Sequence, residues 1–317
     1  MLDSNRITHQ IEEYIAYKRS LGYVIKTEAQ ELRRFAKFTR VIDYEGPITM
    51  EISMKWVSSG SNLTRMHMAK CIETLHTFAT YISALDEEAQ VPCNGVFGKT
   101  HGRTSPYIYT DNEVLTLMCG ANNLFSPDGI RARTVSTAIG LMHSTGVRVS
   151  EITSLKTEDV RLEQGYLFIC CSKFKKDRIV PLHPTTVASL TDYKNFIESQ
   201  MGVRTGIDLF FVDSYGREFN LRAFEYAFQL IRPLLFEGGI QSIGRRLPRL
   251  YDLRHTFACN TIKRWHKSGE NVNQKLYLLS TYMGHVKPED TYWYLSATPE
   301  LLEMSSKRFE DRFGGAV

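Results

Sequence analysis

Apolar positions recur at helical spacing from the start of the chain. Ile7, Ile11, Tyr14, Ile15 and Leu21 fall near one helical face, and Gly22 supplies a stop. Thr27 and Gln30 are spaced as a capping box for a second helix through Leu32, Phe35 and Phe38. Gly46-Pro47 punctuates, and residues 49–56 predict a short third helix. Ser61-Asn62 opens a long fourth one, with Met68, Ile72, Leu75, Phe78, Ala79 and Ile82 on one side. The four predict a small helical bundle over residues 1–90. Residues 91–106 read as a linker, because Pro92, Gly95, Gly98, Gly102 and Pro106 alternate there with Lys99, His101 and Arg103.

The remainder, residues 107–317, begins with Tyr107-Ile-Tyr109 and a second capping box, Thr110 with Glu113, ahead of Val114, Leu115 and Met118. Residues 131–143 predict another helix, which Gly146 breaks. Ser150 opens the next, with Glu151, Ile152 and Leu155. The pattern then changes: residues 166–171 and 178–182 are short β-rich runs flanking Ser172-Lys-Phe-Lys-Lys-Asp177, a hairpin with a basic tip. Helical spacing returns to near the C-terminus. The expected fold is mainly α with a small antiparallel β-sheet, an N-terminal bundle preceding an α+β domain.

Composition narrows the function classes. A chain of 317 residues suits two domains, and 43% hydrophobic with 23% charged residues is ordinary for a soluble globular protein. No apolar run is long enough to span a membrane, and Met1-Leu-Asp-Ser-Asn lacks a signal-peptide core, so a cytoplasmic location is expected. The net charge of +4 permits nucleic-acid binding without demanding it. Lys18, Arg19, Arg33, Arg34, Lys37, Arg40, Arg65 and Lys70 decorate the expected bundle, where a solvated face and a DNA-facing one both fit. None of the six cysteines stands in a Cys-x-x-Cys pair. Neither a zinc site nor a redox motif is therefore expected, and the cysteines read as reduced, mostly buried thiols.

Candidate chemistry gathers late in the chain. Tyr251-Asp-Leu-Arg254-His255, Met283-Gly-His285 and Tyr292-Trp-Tyr294 follow an upstream Thr145-Gly-Val-Arg148-Val-Ser-Glu151. Arginine is always charged, and its planar fork matches a phosphate, so two can clamp non-bridging oxygens. Tyrosine can act as a nucleophile and form a covalent intermediate. His255 adjoins Arg254, faces another side of its helix and reads as a structural histidine. A metal role for His285 is not expected, since no His-x-x-x-His partner is present.

In this order and spacing the boxes resemble those of the tyrosine recombinases, the phage-type integrases, over the C-terminal two-thirds of the chain. The resemblance implies a catalytic domain of that type over residues 107–317. It implies site-specific cutting and rejoining of DNA through a 3′-phosphotyrosyl intermediate, for integration, excision or transposition of a mobile element. Tyr294, nine residues after His285, takes the place of the nucleophile, with Tyr292 the other register. Arg148, Arg254, Tyr251 and His285 would stabilise the phosphoryl group, with Glu151 in support. Lys173 on the hairpin would protonate the departing 5′ oxygen. Lys176 takes that place if the register slips, and Lys175 reads as a solvated turn residue. Tyr251 stands where the family has histidine, which leaves the proton acceptor open. The resemblance implies no cofactor and no metal. As partners it implies a double-stranded DNA recombination site and four protomers on two sites, coupled through a C-terminal helix that Thr298 caps and Pro299 begins. A type IB topoisomerase-like enzyme and a catalytically inactive DNA-binding protein on the same scaffold are the alternatives.

Overall fold

The computed structural model describes residues 6–60, 63–98, 105–170, 177–236 and 247–313. The chain divides into two compact units, Met1–Thr104 and Ser105–Val317. In the first, α1 (Arg6–Ser20), α2 (Lys26–Val41), α3 (Met50–Ser58) and α4 (Arg65–Ile82) enclose Ile7, Ile11, Leu32, Phe35, Leu75 and Phe78. The apolar stripes follow the sequence prediction except at Leu21, which lies past the end of α1 and is exposed, and two starts differ. Helix α2 begins at Lys26 with no side-chain cap, so Thr27 lies inside its first turn and forms no capping box with Gln30. Helix α4 begins after Thr64, whose hydroxyl accepts the His67 amide at 3.2 Å. Ser61 and Asn62 lie outside the described residues. Val91 and Phe97 pack on this unit, and His76 Nδ1 lies 2.8 Å from the Pro92 carbonyl.

The second unit runs α5 (Asp111–Asn122), α6 (Ile130–Thr145), α7 (Val149–Thr153), β1 (Val160–Arg161), β2 (Tyr166–Ile169), β3 (Arg178–Pro181), α8 (Pro184–Met201), α9 (Leu221–Ile231), α10 (Asp252–Lys267), α11 (Val272–Met283), α12 (Glu289–Tyr292) and α13 (Pro299–Phe313). Thr110 and Glu113 form the predicted capping box, with reciprocal bonds of 3.2 and 2.7 Å. Of the apolar residues that open α5, Val114 is buried and Leu115 is exposed. Helix α7 starts one residue before Ser150 and stops short of Leu155. The hairpin pairs antiparallel, with Tyr166 opposite Pro181 and Ile169 opposite Arg178. Strand β1 adds a third member, too short to show an alternation in the sequence. Lys173, Lys175 and Lys176 lie outside the described residues.

One core of this unit lies among α5, α6, the sheet, α8 and α9; another gathers Cys259, Ile262, Leu276, Met283, Tyr294 and Leu301 from α10 to α13. The Thr298 hydroxyl accepts the Leu301 amide at 3.3 Å, and Lys263 pairs with Glu300, so α13 starts docked on its own unit. The thiols correct the expectation of burial: Cys71 and Cys259 are buried, whereas Cys93, Cys119 and Cys170 are exposed. Among the described residues no helix is long and apolar enough to cross a membrane.

Candidate active site

The C-terminal end of α11 organises the site. A helix leaves its last carbonyls without intrahelical partners and presents a partial negative charge there. Gly284 closes α11 in the left-handed conformation, φ 64°, and an added Cβ there would come 3.1 Å from Arg178 Nη1. Three arginines receive the exposed carbonyls. Arg148 Nη2 donates to Gly284 O at 2.8 Å, Arg254 Nη2 to Met283 O at 2.6 Å, and Arg178 Nε to Tyr282 O at 2.8 Å. Arg254 also donates from Nη1 to Gly146 O at 2.6 Å. Gly146 is a second left-handed cap, where an added Cβ would meet Phe257 at 2.5 Å. The start of α10, which carries Arg254, is pinned by the buried Asp252 carboxylate accepting the Arg249 amide at 2.8 Å.

Glu151 bridges Arg148 and Arg178. Arg178 donates to both its oxygens at 2.9 and 2.7 Å, and Arg148 donates from its side chain and its backbone amide, each at 2.8 Å. Burial pushes the Glu151 carboxyl upward, but the Arg178 and Arg148 bonds and charges outweigh it and leave the group at about 2. Arg254 is fully buried. Burial and the neighbouring Arg148 charge lower its pKa to about 10, so it stays protonated near neutral pH. Its Nε has no hydrogen-bond partner.

His285 and Tyr294 complete the cluster. His285 Nε2 lies 3.2 Å from Arg254 Nη2, and Nδ1 lies 2.7 Å from the Oγ1 of the buried Thr291. A guanidinium has no acceptor, so Nε2 accepts from Arg254 and the proton of a neutral ring sits on Nδ1, facing Thr291. The Tyr294 ring is nearly parallel to His285, centroids 6.4 Å apart. Tyr294 is 2% exposed, and its hydroxyl lies 3.0 Å from His255 Nδ1; Tyr292 is 47% exposed. Tyr251 is 41% exposed and meets the edge of the His255 ring at 5.0 Å.

Arg148, Glu151, Arg254, His285 and Tyr294 are thus gathered in one cluster, with Tyr251 at its rim, while Lys173 lies outside the described residues. Sequence reading passed over Arg178, read only as part of a strand, and Thr291. It also set His255 apart as structural, whereas the ring faces the Tyr294 hydroxyl. Tyr251 and His255 are four residues apart and share a helical face, a signal the sequence did contain.

A mainly helical unit with a three-stranded antiparallel sheet, a buried and two partly buried arginines, a histidine and a tyrosine near one helix end defines the tyrosine recombinase class. The chain belongs to the phage integrase family, whose model matches residues 108–300. It is 31% identical over 307 residues, 96% of both chains, to integrase/recombinase y4rB of Sinorhizobium fredii. It is 24% identical to tyrosine recombinase XerD of Staphylococcus saprophyticus, over 80% of this chain and 84% of that one. The Tn1549 transposon integrase, solved with transposon right end DNA, shares the fold at a TM-score of 0.67 and 13% identity, covering 96% of this chain and 99% of that one.

Proposed function

We infer that this chain recombines double-stranded DNA at specific sites on behalf of a mobile element, using Tyr294 as nucleophile. The observation that carries this reading is the seat of the Tyr294 hydroxyl, bonded to His255 on a ring stacked near His285, itself bonded to Arg254. Free tyrosine titrates near pH ~10, so attack at neutral pH needs a proton acceptor. His255 Nδ1 takes the phenolic proton, filling the place left open by tyrosine at position 251. The phenolate oxygen bonds to phosphorus, the bond to the 5′ oxygen breaks, and Lys173 gives that oxygen a proton. Arg148 and Arg254 meet the charge that grows on the non-bridging oxygens, His285 joins them once a proton on Nε2 replaces the bond it accepts from Arg254, and the Tyr251 hydroxyl donates from the rim. Glu151 and Arg178 position Arg148 and leave the phosphate untouched. A 5′ hydroxyl of the second DNA strand then attacks the phosphotyrosine and releases Tyr294. The phosphodiester energy is retained in the linkage, so the cycle requires no nucleotide and no metal.

Arg254 and Tyr294 are 0% and 2% exposed, so a phosphate reaches them only after residues around them move. DNA binding supplies that opening, which keeps the nucleophile sheltered until a site is engaged. The N-terminal unit, with its basic helices, grips the duplex, and four protomers act on two sites. Two DNA sites on one circle test the reading. Exchanged products support a recombinase, whereas relaxation of supercoils without exchange would assign the chain to topoisomerase-like work.

A further inference from the structure

Outside the active site, one cluster in the N-terminal unit has the composition of a metal centre. His67 and Cys71 are four residues apart on α4 and share a face, and Glu31 reaches them from α2. Cys71 Sγ lies 3.6 Å from His67 Nε2 and 3.9 Å from Glu31 Oε2, and one ligand atom from each residue falls within 4.8 Å of the others. We propose that Glu31, His67 and Cys71 form a zinc site that ties α2 to α4, with water as the fourth ligand.

Three observations carry it. The first is spacing. Zinc–sulfur bonds of about 2.3 Å and zinc–nitrogen or zinc–oxygen bonds of about 2.0–2.2 Å set tetrahedral ligand atoms roughly 3.5 Å apart. The two sulfur distances lie close to that edge, while 3.9 Å is long for a thiol–carboxylate hydrogen bond. The second is the donor set, since thiolate, imidazole and carboxylate are the zinc ligands of proteins. The third is the support around Glu31. Arg34 Nη1 donates to both carboxylate oxygens, at 3.2 Å to Oε1 and 3.4 Å to Oε2, and so orients Glu31 while Oε2 keeps lone-pair capacity toward Cys71. Zinc binding takes the thiolate form of Cys71, so the thiol proton leaves to solvent. The cluster belongs to the N-terminal unit, and the site supports the bundle and takes no part in the DNA chemistry.

The test uses the full-length protein stripped of metal, titrated with Zn²⁺ against a chromophoric chelator and separately with Co²⁺. The expected result is one tight equivalent of Zn²⁺ and a thiolate-to-cobalt charge-transfer band, both lost in Cys71→Ser. Glu31→Gln, a partly exposed position that tolerates the change without unfolding, weakens binding at least tenfold and abolishes the zinc-dependent rise in melting temperature. Absence of competition with the chelator overturns the proposal. So does a stoichiometry and band unchanged in Cys71→Ser, which would put the metal on another thiol, or an unchanged affinity in Glu31→Gln.

Discussion

Replacing Glu151 with glutamine keeps the side chain's shape and removes the charge that Arg148 and Arg178 share. The three side chains are only 6%, 12% and 8% exposed, so solvent screens little of the interaction. Two routes give its size. The carboxyl is held at about 2 against an ordinary 4.5, a difference of about 3 kcal/mol between folded and unfolded chains. Breaking a buried pair and leaving its partners uncompensated costs about 3–5 kcal/mol. At about 2–4 °C per kcal/mol for a domain of this size, Glu151→Gln lowers the melting temperature of the catalytic unit by about 6–12 °C at pH 7. The sign with pH follows from the lowered folded pKa. The stabilisation is complete above the unfolded value of 4.5 and is lost as pH falls toward 2. Roughly 40% remains at about pH 3, so the gap between the melting temperatures of wild type and variant narrows to less than half there. Calorimetry from pH 7 to pH 3 reads both effects. A variant melting within about 2 °C of wild type at pH 7, or a gap that keeps its full size to pH 3, refutes the reasoning.

His255→Gln keeps a hydrogen-bonding group beside Tyr294 but removes the base; single-turnover cleavage of nicked DNA falls by about 10²–10⁴ while gel-shift affinity holds. A wild-type rate would return His255 to a packing role. Tyr251→Phe slows cleavage by less than the roughly 10²–10³ that a lost oxyanion donor costs, because the arginines share the load; no change would mean that the ring only packs. Cleavage persists without added Mg²⁺ or Mn²⁺ at saturating protein, and a strict need for either would contradict the phosphate chemistry assigned to Arg148, Arg254 and His285.

Several elements with local signals were legible in the sequence, although the equally local Thr27–Gln30 box did not form. The hairpin, the Thr110 capping box and the Thr298 cap each lie within a few residues of one another, and the structure holds them as read. Contacts made across the fold were not. Arg178 meets Glu151 across 27 positions, and an arginine opening a strand reads as a solvated end. The Thr291 hydroxyl facing His285 depends on how α12 turns back, which no periodicity reports. The cap of α4 was misplaced because Ser61, Asn62 and Thr64 are all good capping residues, and the helical stripe does not choose among them. The Glu31, His67 and Cys71 cluster escaped a search for Cys-x-x-Cys because its ligands come from two helices.

The claim at the centre of the account is that Tyr294 is the atom donor to the phosphate. Tyr294→Phe removes one oxygen and preserves the ring packed against Trp293 and His255. A suicide duplex, nicked so that the cleaved strand diffuses away, traps the covalent protein–DNA adduct of the wild type on a denaturing gel. The account predicts that Tyr294→Phe gives no adduct while shifting the same duplex on a native gel as the wild type does. An adduct in Tyr294→Phe that disappears in Tyr292→Phe would contradict it.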